Sequence, residues 1–515
     1  MSLRTRALFR GSAAVIAALL SATPLAAEFT LISSPKLGLA SPVGALSPDG
    51  SMLVGTDVID GNTTAIYWTE AEGVVALPHA SSVEPHSFAR DLSADGSVIV
   101  GGGRNDDNAD EAVRWDRQSD GSYTVTLLTP PANGTGAFIG PTDFFGTILS
   151  SSVNMEATAV SGDGSVIVGY GDSTDFDGPP TQAWAWTSED GFIPLGYLSD
   201  GEIAEKANLP RVFSRAEDID REASAIVGQS WPGLNSNGTA AMEAFLYDTD
   251  SGQMTGLGDL ITPVFGSVAY GVSPDGTVTV GQARDGAPSL QVAFRQTASE
   301  GMQSLGDLPG GSTTARALAA SNHGSVIVGE ATTERGTEAF VWTAGLGMAR
   351  LETVAGLTLA ELGAGYLESA VAVSDDGRTI AGSYIIRDTD PKGGDNLRQA
   401  YVLRLSREQL ALGPDLEALA AATAPELLPA AGSDFTLRFA RDPDAGVTYL
   451  LQGSEALGPG FDDLIRYQAD GLGNFQRQVL DPAFGSDPTG STPGQAVERF
   501  PAPGGRYFLR IALEP

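Results

Sequence analysis

The sequence predicts an all-β protein, a seven-bladed β-propeller followed by a small C-terminal β-sandwich. The first indication is a phrase that returns seven times: a Ser or its substitute, a turn that usually contains Asp-Gly, and a β-branched run that ends in Gly. Its clearest copies are 47–55, 93–101 and 161–169. The second indication is the spacing of the copies, because four-stranded blades repeat every ~40–50 residues. The third is the density of short β runs between Gly, Asp, Ser and Pro, which is typical of all-β chains.

The copies begin at positions 47, 93, 161, 220, 273, 321 and 374, so their spacings run from 46 to 68 residues and the excess length must lie in loops. Each unit is predicted to hold four strands. The first strand ends at the phrase, and the turn then reverses the chain, because Gly accepts a positive φ without steric cost. The second strand is the β-branched run, and the fourth is short. The third strand carries aromatic residues that we expect to pack inside the blades, among them Trp68, Trp115, Trp186 and Trp342.

The two ends of the repeat region predict that the ring closes. The seventh unit reaches its third strand at 401–405 and then turns into an Ala/Leu/Pro stretch without a fourth strand. A strand-like run at 29–32 precedes the first unit. We expect this run to be the outer strand of the seventh blade, since such pairing removes the exposed edges of an open array.

The fifth and sixth units resemble the bacterial extracellular repeat called the HAF family. The resemblance rests on Leu-Gly-Asp-Leu-Pro-Gly-Gly at 305–311, Ala-Arg-Ala-Leu-Ala-Ala-Ser-Asn-His-Gly at 315–324, Val-Ile-Val-Gly at 326–329 and Ala-Phe-Val-Trp at 339–342. It covers about 43–405, and the fourth unit departs most from the pattern. The resemblance implies secretion and a propeller-like β array, and the family has no agreed biochemical activity.

The remaining segments complete the predicted domain organisation. Residues 1–27 are a signal peptide, with Arg4, Arg6 and Arg10 before an apolar run at 13–20 that is too short to span a bilayer. The propeller is expected at 28–410, and an Ala/Leu/Pro linker or short helix at 411–432. Alternating runs at 433–515 indicate the β-sandwich. We therefore expect a secreted protein with no transmembrane segment, either periplasmic or extracellular, and attachment to the cell surface stays open.

Composition limits the chemistry and the partners. The 515 residues include no cysteine, which excludes disulfides and thiol catalysis. The formal net charge is −34, and it becomes −37 once the three arginines of the signal peptide are removed. Such a polyanion is not expected to bind nucleic acid or anionic lipid, and it suits cations, basic surfaces or a salty habitat. We expect a monomer.

Loop lengths predict where a ligand binds. Turns between strands one and two, and three and four, share one face of a propeller and are short here. The opposite face, called the long-loop face below, holds every long insertion: 104–111, 171–181, 229–243 and 383–398 within units, and 130–155 and 197–217 between units. Loops on a rigid scaffold carry function disproportionately, so we expect binding there and at the mouth of the central channel. The candidate ligand-binding residues are Arg104, Trp231, Asp285, Arg335 and Asp388.

Two of these loops are acidic and predict a cation site as one alternative. Their carboxylates alternate along the chain, which suits calcium. The candidates are Asp106, Asp107, Asp110, Asp172, Asp175 and Asp177. The second loop lacks the Glu that an EF-hand requires, and a solvated turn is the other interpretation of both. No cofactor other than calcium is predicted. The Asp that recurs in the repeat is expected to hold its turn through bonds to the local backbone.

Three functions remain open. The leading hypothesis is a secreted, non-catalytic binding or scaffold protein that binds a glycan or a protein. The second is a calcium-assisted extracellular glycan hydrolase or lyase, and the third is a cell-surface adhesion component attached through its C-terminal module. Support for catalysis is thin. No nucleophile elbow, zincin pair or phosphate loop is present, His79 and His86 lack an obvious nucleophile, and His323 replaces a turn Asp.

Overall fold

The computed structural model is an all-β chain that divides into two compact units, Met1–Ala411 and Leu412–Pro515. No helix in the part of the chain that the structure describes is long and apolar enough to cross a membrane. The described residues are 27–37, 42–128, 155–172, 181–198, 213–231, 242–261, 266–285, 291–308, 311–386 and 396–412, and the strands between 426 and 514. The predicted signal peptide lies outside them, apart from residue 27.

The first unit begins with strand β1 (Glu28–Leu37) and continues as four-stranded antiparallel sheets whose strands pair in chain order. Sheet 1 holds β2 (Val43–Leu46), β3 (Met52–Ile59), β4 (Asn62–Thr69) and β5 (Gly73–Ala76). Sheet 2 holds β6 (Ser87–Leu92), β7 (Val98–Arg104), β8 (Asp110–Arg117) and β9 (Tyr123–Leu127). Sheet 3 holds β10 (Met155–Val160), β11 (Val166–Asp172), β12 (Thr181–Thr187) and β13 (Gly191–Gly196).

The next three sheets repeat this order. Sheet 4 holds β14 (Ser214–Ile219), β15 (Ala225–Ser230), β16 (Glu243–Asp248) and β17 (Gln253–Gly256). Sheet 5 holds β18 (Val268–Val272), β19 (Val278–Arg284), β20 (Gln291–Thr297) and β21 (Gly301–Ser304). Sheet 6 holds β22 (Gly311–Ala320), β23 (Ile327–Thr333), β24 (Gly336–Thr343) and β25 (Gly347–Arg350). One parallel pair, Gln291 with Thr314, joins sheets 5 and 6.

Sheet 7 combines the two ends of the repeat region. It holds β26 (Gly365–Val373), β27 (Thr379–Ile386) and β28 (Leu397–Arg404), and its fourth strand is β1. Strand β1 runs antiparallel to β28, with Phe29 opposite Leu403 and Ile32 opposite Ala400. This pairing confirms the predicted role of the run at 29–32. Two short helices, α1 (Leu351–Ala355) and α2 (Leu359–Leu362), connect sheets 6 and 7, and a 3-10 turn spans Asn322–Gly324.

The first strands of the sheets contact one another in a ring. Each first strand contacts that of the next sheet, and β2 of sheet 1 contacts both β6 of sheet 2 and β26 of sheet 7. Four-stranded sheets repeated radially around a channel are the arrangement of a β-propeller.

Side chains of the repeat hold each turn between the first and second strands. In sheet 3, the Ser161 hydroxyl accepts the N–H of Val166 at 3.0 Å and donates to Asp163 at 2.8 Å. The Asp163 carboxylate also accepts the Ser165 N–H at 2.9 Å, and these bonds lower the pKa of Asp163. The same pattern recurs at Asp49, Asp95, Asp275 and Asp376. The predicted role of the repeated Asp is confirmed.

In the fourth copy, different residues hold the turn between the first and second strands. Asp220 stands where the other copies have Ser, and its carboxylate accepts the Ala225 N–H at 2.7 Å and the Ser224 hydroxyl at 2.7 Å. Ala223 takes the left-handed backbone conformation that glycine takes elsewhere, with φ of 58°. The sheet therefore forms although its phrase has lost the Asp-Gly pair.

The glycine that ends each phrase is required by a close approach of two strands. Gly101 lies opposite Ala89 where the register of β6 and β7 shifts. A Cβ on any of the seven phrase glycines would lie 1.9 to 2.1 Å from a carbonyl oxygen, which belongs to the first strand in sheets 2 to 7 and to Pro42, just before β2, in sheet 1. The glycines are Gly55, Gly101, Gly169, Gly228, Gly281, Gly329 and Gly382.

Aromatic residues of the third strands fill the spaces between sheets. Trp115 is fully buried and Trp68 nearly so, as predicted. Trp186 and Trp342 are half-buried, each beneath an arginine, at 5.8 Å from Arg114 and 5.5 Å from Arg295. In sheet 3 the fully buried ring belongs instead to Trp184. Two-residue alternation places Trp184 and Trp186 on the same sheet face, and Trp186 packs at the margin of the buried cluster that contains Trp184.

The second unit holds two four-stranded antiparallel sheets. One has the order β29 (Glu426–Pro429), β30 (Phe435–Ala440), β35 (Gln495–Phe500) and β34 (Asp487–Pro488). The other has the order β33 (Phe475–Val479), β32 (Asp462–Ala469), β31 (Thr448–Ser454) and β36 (Phe508–Glu514). Strand β29 lies inside the segment predicted as a linker or helix, so that prediction is wrong for 426–429, where the chain pairs with β30.

Candidate functional site

A central cavity of about 510 Å³ is lined by residues from the first strand of every sheet in the first unit. Each of these strands forms a ladder with the second strand of its own sheet, and β22 adds only the Thr314 pair. Their other edges therefore present backbone N–H and C=O groups toward the cavity. The volume lies within the range of small-ligand pockets, ~300–1,000 Å³.

The turns after the first strands form the floor of this cavity. Neighbouring turns are joined by backbone N–H···O bonds, and the last turn is bonded to the first. The bonds run from Ala94 to Gly162 (2.8 Å), Gly162 to Arg221 (2.9 Å), Arg221 to Pro274 (3.0 Å), Asn322 to Asp375 (3.1 Å) and Asp375 to Pro48 (2.9 Å). Pro48 and Pro274 accept such bonds but have no N–H to donate onward, which explains the two interruptions of the ring.

An ion pair crosses the floor. Arg221 of the fourth turn reaches Asp375 of the seventh turn, with Nη2 and Oδ2 2.5 Å apart. Both side chains line the cavity, and they come from opposite sides of the ring of turns. The ion pair and the hydrogen-bonded ring lie across the short-turn end of the cavity, and its other end, called the mouth below, lies toward the long-loop face.

One wall of the cavity is polar and carries a linked set of side chains near its mouth. Glu156 accepts a bond from Arg90 Nε at 2.6 Å and another from the Tyr170 hydroxyl. The guanidinium of Arg215 stacks 3.7 Å above the Tyr170 ring, and its Nε lies 3.7 Å from Glu217. Because Glu156 and Arg215 stand near the starts of β10 and β14, where the chain enters from the preceding sheets, this cluster lies toward the long-loop face.

Two aspartates bind the backbone of the neighbouring sheet within the cavity wall. Asp91 Oδ2 accepts the N–H of Val160 at 2.8 Å, and Asp218 Oδ2 accepts the N–H of Val272 at 2.8 Å. They link sheet 2 to sheet 3 and sheet 4 to sheet 5. Burial raises the pKa of Asp91 to about 6 and, with the charge of Asp91 adding to it, raises the pKa of Asp218 to about 8. These contacts give both carboxylates a structural role.

The opposite wall is apolar. Gly44, Leu318 and Val371 line it at the strand positions that Arg90, Thr158, Glu217 and Tyr270 occupy on the polar wall. A second cavity of about 320 Å³ shares Leu318 and Val371 with the first. It is also lined by Glu368 and Arg398, whose carboxylate and Nε lie 2.6 Å apart.

The predicted ligand-binding residues that the structure describes do not converge. Arg104 pairs with Asp110 at 3.3 Å, and the Trp231 N–H is bonded to the Phe213 carbonyl at the end of β15. Arg335 is held between Glu338 and Glu352 and stacks 4.9 Å above Tyr366. That arginine therefore packs sheet 6 against sheet 7. Asp285 follows β19 at the edge of a gap in the described residues, and Asp388 lies outside them.

The acidic loop after β7 folds as a tight polar turn. The Asn105 side-chain oxygen accepts the N–H groups of Asp107 and Ala109, at 2.9 and 3.0 Å. Asp106 accepts the Ser81 hydroxyl at 2.7 Å, and Asp110 is paired with Arg104. Across the described ranges, no group of three or more His, Asp or Glu side chains could hold a metal ion. Asp175, Asp177 and the side chain of Asp172 lie outside the described residues, so the second acidic loop stays a prediction.

The histidines have structural partners. The Ser87 hydroxyl accepts the Ala65 N–H at 3.1 Å and lies 3.0 Å from His79 Nδ1, while Nε2 of His79 lies 3.3 Å from Thr64. Burial lowers the pKa of His79, which favours its neutral form. The equivalent Ser214 and Ser267 donate to backbone carbonyls instead. Ser87 is thus one of a recurring set of inter-sheet ties and is 1% exposed, which does not suit a nucleophile.

His323 pairs with Asp275 of the preceding turn and takes a left-handed φ of 56°. Its predicted structural role is confirmed.

Sequence reasoning missed the polar wall, although the repeat contained its signal. The first-strand residue opposite the phrase glycine is Ala in sheets 2 to 7 and Val43 in sheet 1, and the residue that follows it lines the cavity. Aligned on that residue, the seven following positions separate into a polar run from sheets 2 to 5 and an apolar run from sheets 6, 7 and 1. These positions are Arg90, Thr158, Glu217, Tyr270, Leu318, Val371 and Gly44.

Comparison with known proteins returns similarity to solved structures only. No family model and no curated protein sequence matches the chain. Oligogalacturonate lyase from Vibrio parahaemolyticus is 10% identical over 75% of this chain and 98% of that chain, with a TM-score of 0.43. The β-propeller domain of the Trilobed protease from Pyrococcus furiosus is 11% identical over 74% and 96%, with a TM-score of 0.42. TolB from Acinetobacter baumannii is 12% identical, with a TM-score of 0.30, and the match spans 53% of this chain and about half, 52%, of TolB. With TM-scores below 0.5, fold and function rest on the chain's own sheets and side chains.

Proposed function

We propose that sheets 1 to 7 are the blades of a closed seven-bladed β-propeller, and that the chain is a secreted, non-catalytic protein that binds a glycan or a protein at the channel mouth. Three contacts support closure: β1 pairs with β28, the first strands of sheets 1 and 7 touch, and the Asp375 N–H bonds to the Pro48 carbonyl. The HAF-like repeat, the signal peptide at 1–27 and a sandwich formed by the two C-terminal sheets belong to the same proposal.

The observation that carries the binding function is the polar wall at the open end of the cavity. Arg90, Tyr170 and Arg215 are arranged around Glu156, and these links fix the orientation of their side chains before a ligand arrives. A preorganised set of this kind loses little conformational entropy on binding. The position of the wall also agrees with the expectation that ligands bind at the channel mouth on the long-loop face.

Binding is favoured over hydrolysis because the carboxylates in the wall are already engaged. Glu156 accepts two bonds, Glu217 accepts one from Gln229 at 2.7 Å, and Asp91 and Asp218 accept backbone N–H groups of the neighbouring sheets. A general acid or base needs a carboxyl within reach of the substrate proton. The hydrolase and adhesion hypotheses stay alternatives for the loops and the C-terminal unit.

A pair of matched arginine variants tests the proposal. Arg215→Met removes a guanidinium that stacks on Tyr170 and faces Glu217. Arg295→Met removes one that stacks on Trp342 and pairs with Glu300 outside the cavity. The mature protein and both variants are applied to an array of immobilised oligosaccharides and to extracellular proteins of the same source. We expect Arg215→Met to lower the affinity for the bound ligand at least about tenfold and Arg295→Met to leave that affinity unchanged. Equal affinity of wild type and Arg215→Met would contradict binding at the channel mouth.

A further inference from the structure

The cavity is a pit and not a tunnel. Its floor is closed by the bonded turns and by the Arg221–Asp375 ion pair, and its mouth opens on the long-loop face. A polymer threaded through a tunnel can be bound along its length. A pit admits only the end of a chain, because an internal segment would have to enter and leave through the same opening.

Each arginine of the wall has a carboxylate neighbour, and the wall holds two more carboxylates than arginines. Arg90 is paired with Glu156, Arg215 faces Glu217, and Arg221 is paired with Asp375. The remaining carboxylates, Asp91 and Asp218, accept backbone N–H groups. No arginine of the wall is left without a carboxylate neighbour, so the pit offers no net positive charge to an anionic group. An anionic ligand would leave its own charge uncompensated on desolvation.

What the pit does offer is hydrogen bonding on one side and apolar contact on the other. The guanidinium groups of Arg90 and Arg215 supply donors, and the inner edges of the first strands add backbone groups other than the N–H groups bonded to Asp91 and Asp218. Leu318, Val371 and Gly44 supply the apolar wall. A pyranose ring has hydroxyl groups that both donate and accept around its edge and C–H groups on its faces, which matches this division. Tyr270 stands where the two walls meet.

We infer that this pit binds the terminal unit of a neutral oligosaccharide, with the adjoining cavity between sheets 6 and 7 holding the next unit. The inference rests on the proposed binding function and narrows it to one ligand class and one mode of recognition. The cavity volumes of about 510 and 320 Å³ leave room for one ring each and the water around it.

The test titrates the mature protein with four neutral trisaccharides that differ in linkage or sugar, maltotriose, cellotriose, laminaritriose and mannotriose, and with trigalacturonate as a charged trisaccharide. Leu318→Phe narrows the pit, and Ile193→Phe makes the same kind of change on the half-exposed outer strand β13 of sheet 3. We expect one neutral trisaccharide to bind at one site per chain, Leu318→Phe to weaken it at least about tenfold, and Ile193→Phe to have no effect. Thermal unfolding of both variants verifies that they are folded.

Chain length then tests recognition of the end. The hexasaccharide of the same linkage should bind with the same molar affinity as the trisaccharide. The polymer offers one such end per chain, so its affinity per unit mass should fall in proportion to its length. Binding that is constant per unit mass would contradict end recognition, and preference for trigalacturonate or no neutral binding would contradict the ligand class. In each of those cases a ligand that still depends on Arg215 would leave the proposed function standing. A ligand whose affinity is unchanged by Arg215→Met and by Leu318→Phe would contradict both the proposed function and this inference.

Discussion

Substitution of one phrase glycine by alanine should destabilise the first unit more than its single added methyl group suggests. At Gly101 the new Cβ would lie 2.0 Å from the Phe88 carbonyl oxygen and 3.0 Å from the Ala89 Cα. Carbon and carbonyl oxygen atoms normally approach no closer than about 3.3 Å, so β6 and β7 would have to separate by roughly 1.3 Å. Both obstacles are backbone atoms, so no side-chain rotation relieves the contact.

The expected cost follows from the kind of strain. Overpacking by a methyl group costs ~1–3 kcal/mol when side chains can adjust, and we expect about 3 kcal/mol or more here because the ladder itself must shift. For a unit of about 380 residues the unfolding entropy is about 0.8 kcal/mol/K, so the melting temperature should fall by about 4 °C. Differential scanning calorimetry of the mature protein measures this shift.

The control is Gly121→Ala in the hairpin of the same sheet. Gly121 has φ of 88° and open space around it, so alanine there meets only backbone strain, about 1–2 kcal/mol. A fall in melting temperature for Gly101→Ala that is no larger than that for Gly121→Ala would refute the close-approach explanation of the repeated glycine.

Two further predictions concern polar groups of the first unit. Burial raises the pKa of Asp218 to about 8, so the folded protein binds more protons than the unfolded chain between about pH 4 and 8. The stability linked to this group is therefore present at low pH and lost as the pH rises through 8. Asp218→Asn should make the melting temperature fall less steeply between pH 5 and 8. An unchanged dependence of the melting temperature on pH would contradict the raised pKa of Asp218. Ser273→Ala should cost about 1–3 kcal/mol, because the buried Val278 N–H loses its 2.9 Å bond. The control Ser251→Ala, at an exposed turn, should lower the free energy of unfolding only slightly. Equal losses of unfolding free energy for the two variants in urea would contradict the role given to the recurring Ser.

Most of the fold could be predicted from the repeat, because its local sequence signals agree with the tertiary structure. The Ser–Asp turns form as expected, and the run at 29–32 pairs with β28 because sheet 7 has no other fourth strand. Even the degenerate fourth copy folds, since Asp220 accepts the same backbone N–H as Ser does elsewhere. The choice between Trp184 and Trp186 as the buried ring could not be predicted, because two-residue alternation is equally satisfied by either.

The candidate site was predicted only in position. Loop lengths predict binding at the long-loop end of the channel, which is where the polar wall lies, but the described residues chosen from those loops do not converge, and Arg335 packs sheets 6 and 7. The polar wall comes from single positions in separate copies, such as Arg90, Glu156 and Arg215, more than 50 residues apart in sequence. Their proximity depends on how sheets 2, 3 and 4 pack side by side, which no pattern within a single copy encodes.

The cavity is lined by the first strands of all seven sheets, so the pit and its ligand depend on closure of the ring between sheets 7 and 1. A disulfide can test this closure. The chain has no cysteine, so the double variant Thr30→Cys, Val402→Cys introduces the only pair. These two residues are directly opposite in the β1–β28 ladder, where Cα atoms lie ~4.5–5.5 Å apart, within the range of a disulfide. The closed ring predicts complete oxidation, seen by mass as the loss of two hydrogens, while Thr30→Cys with Thr124→Cys in sheet 2 stays reduced. A Thr30–Val402 pair that stays reduced under the same conditions would contradict the closed ring and the pit within it.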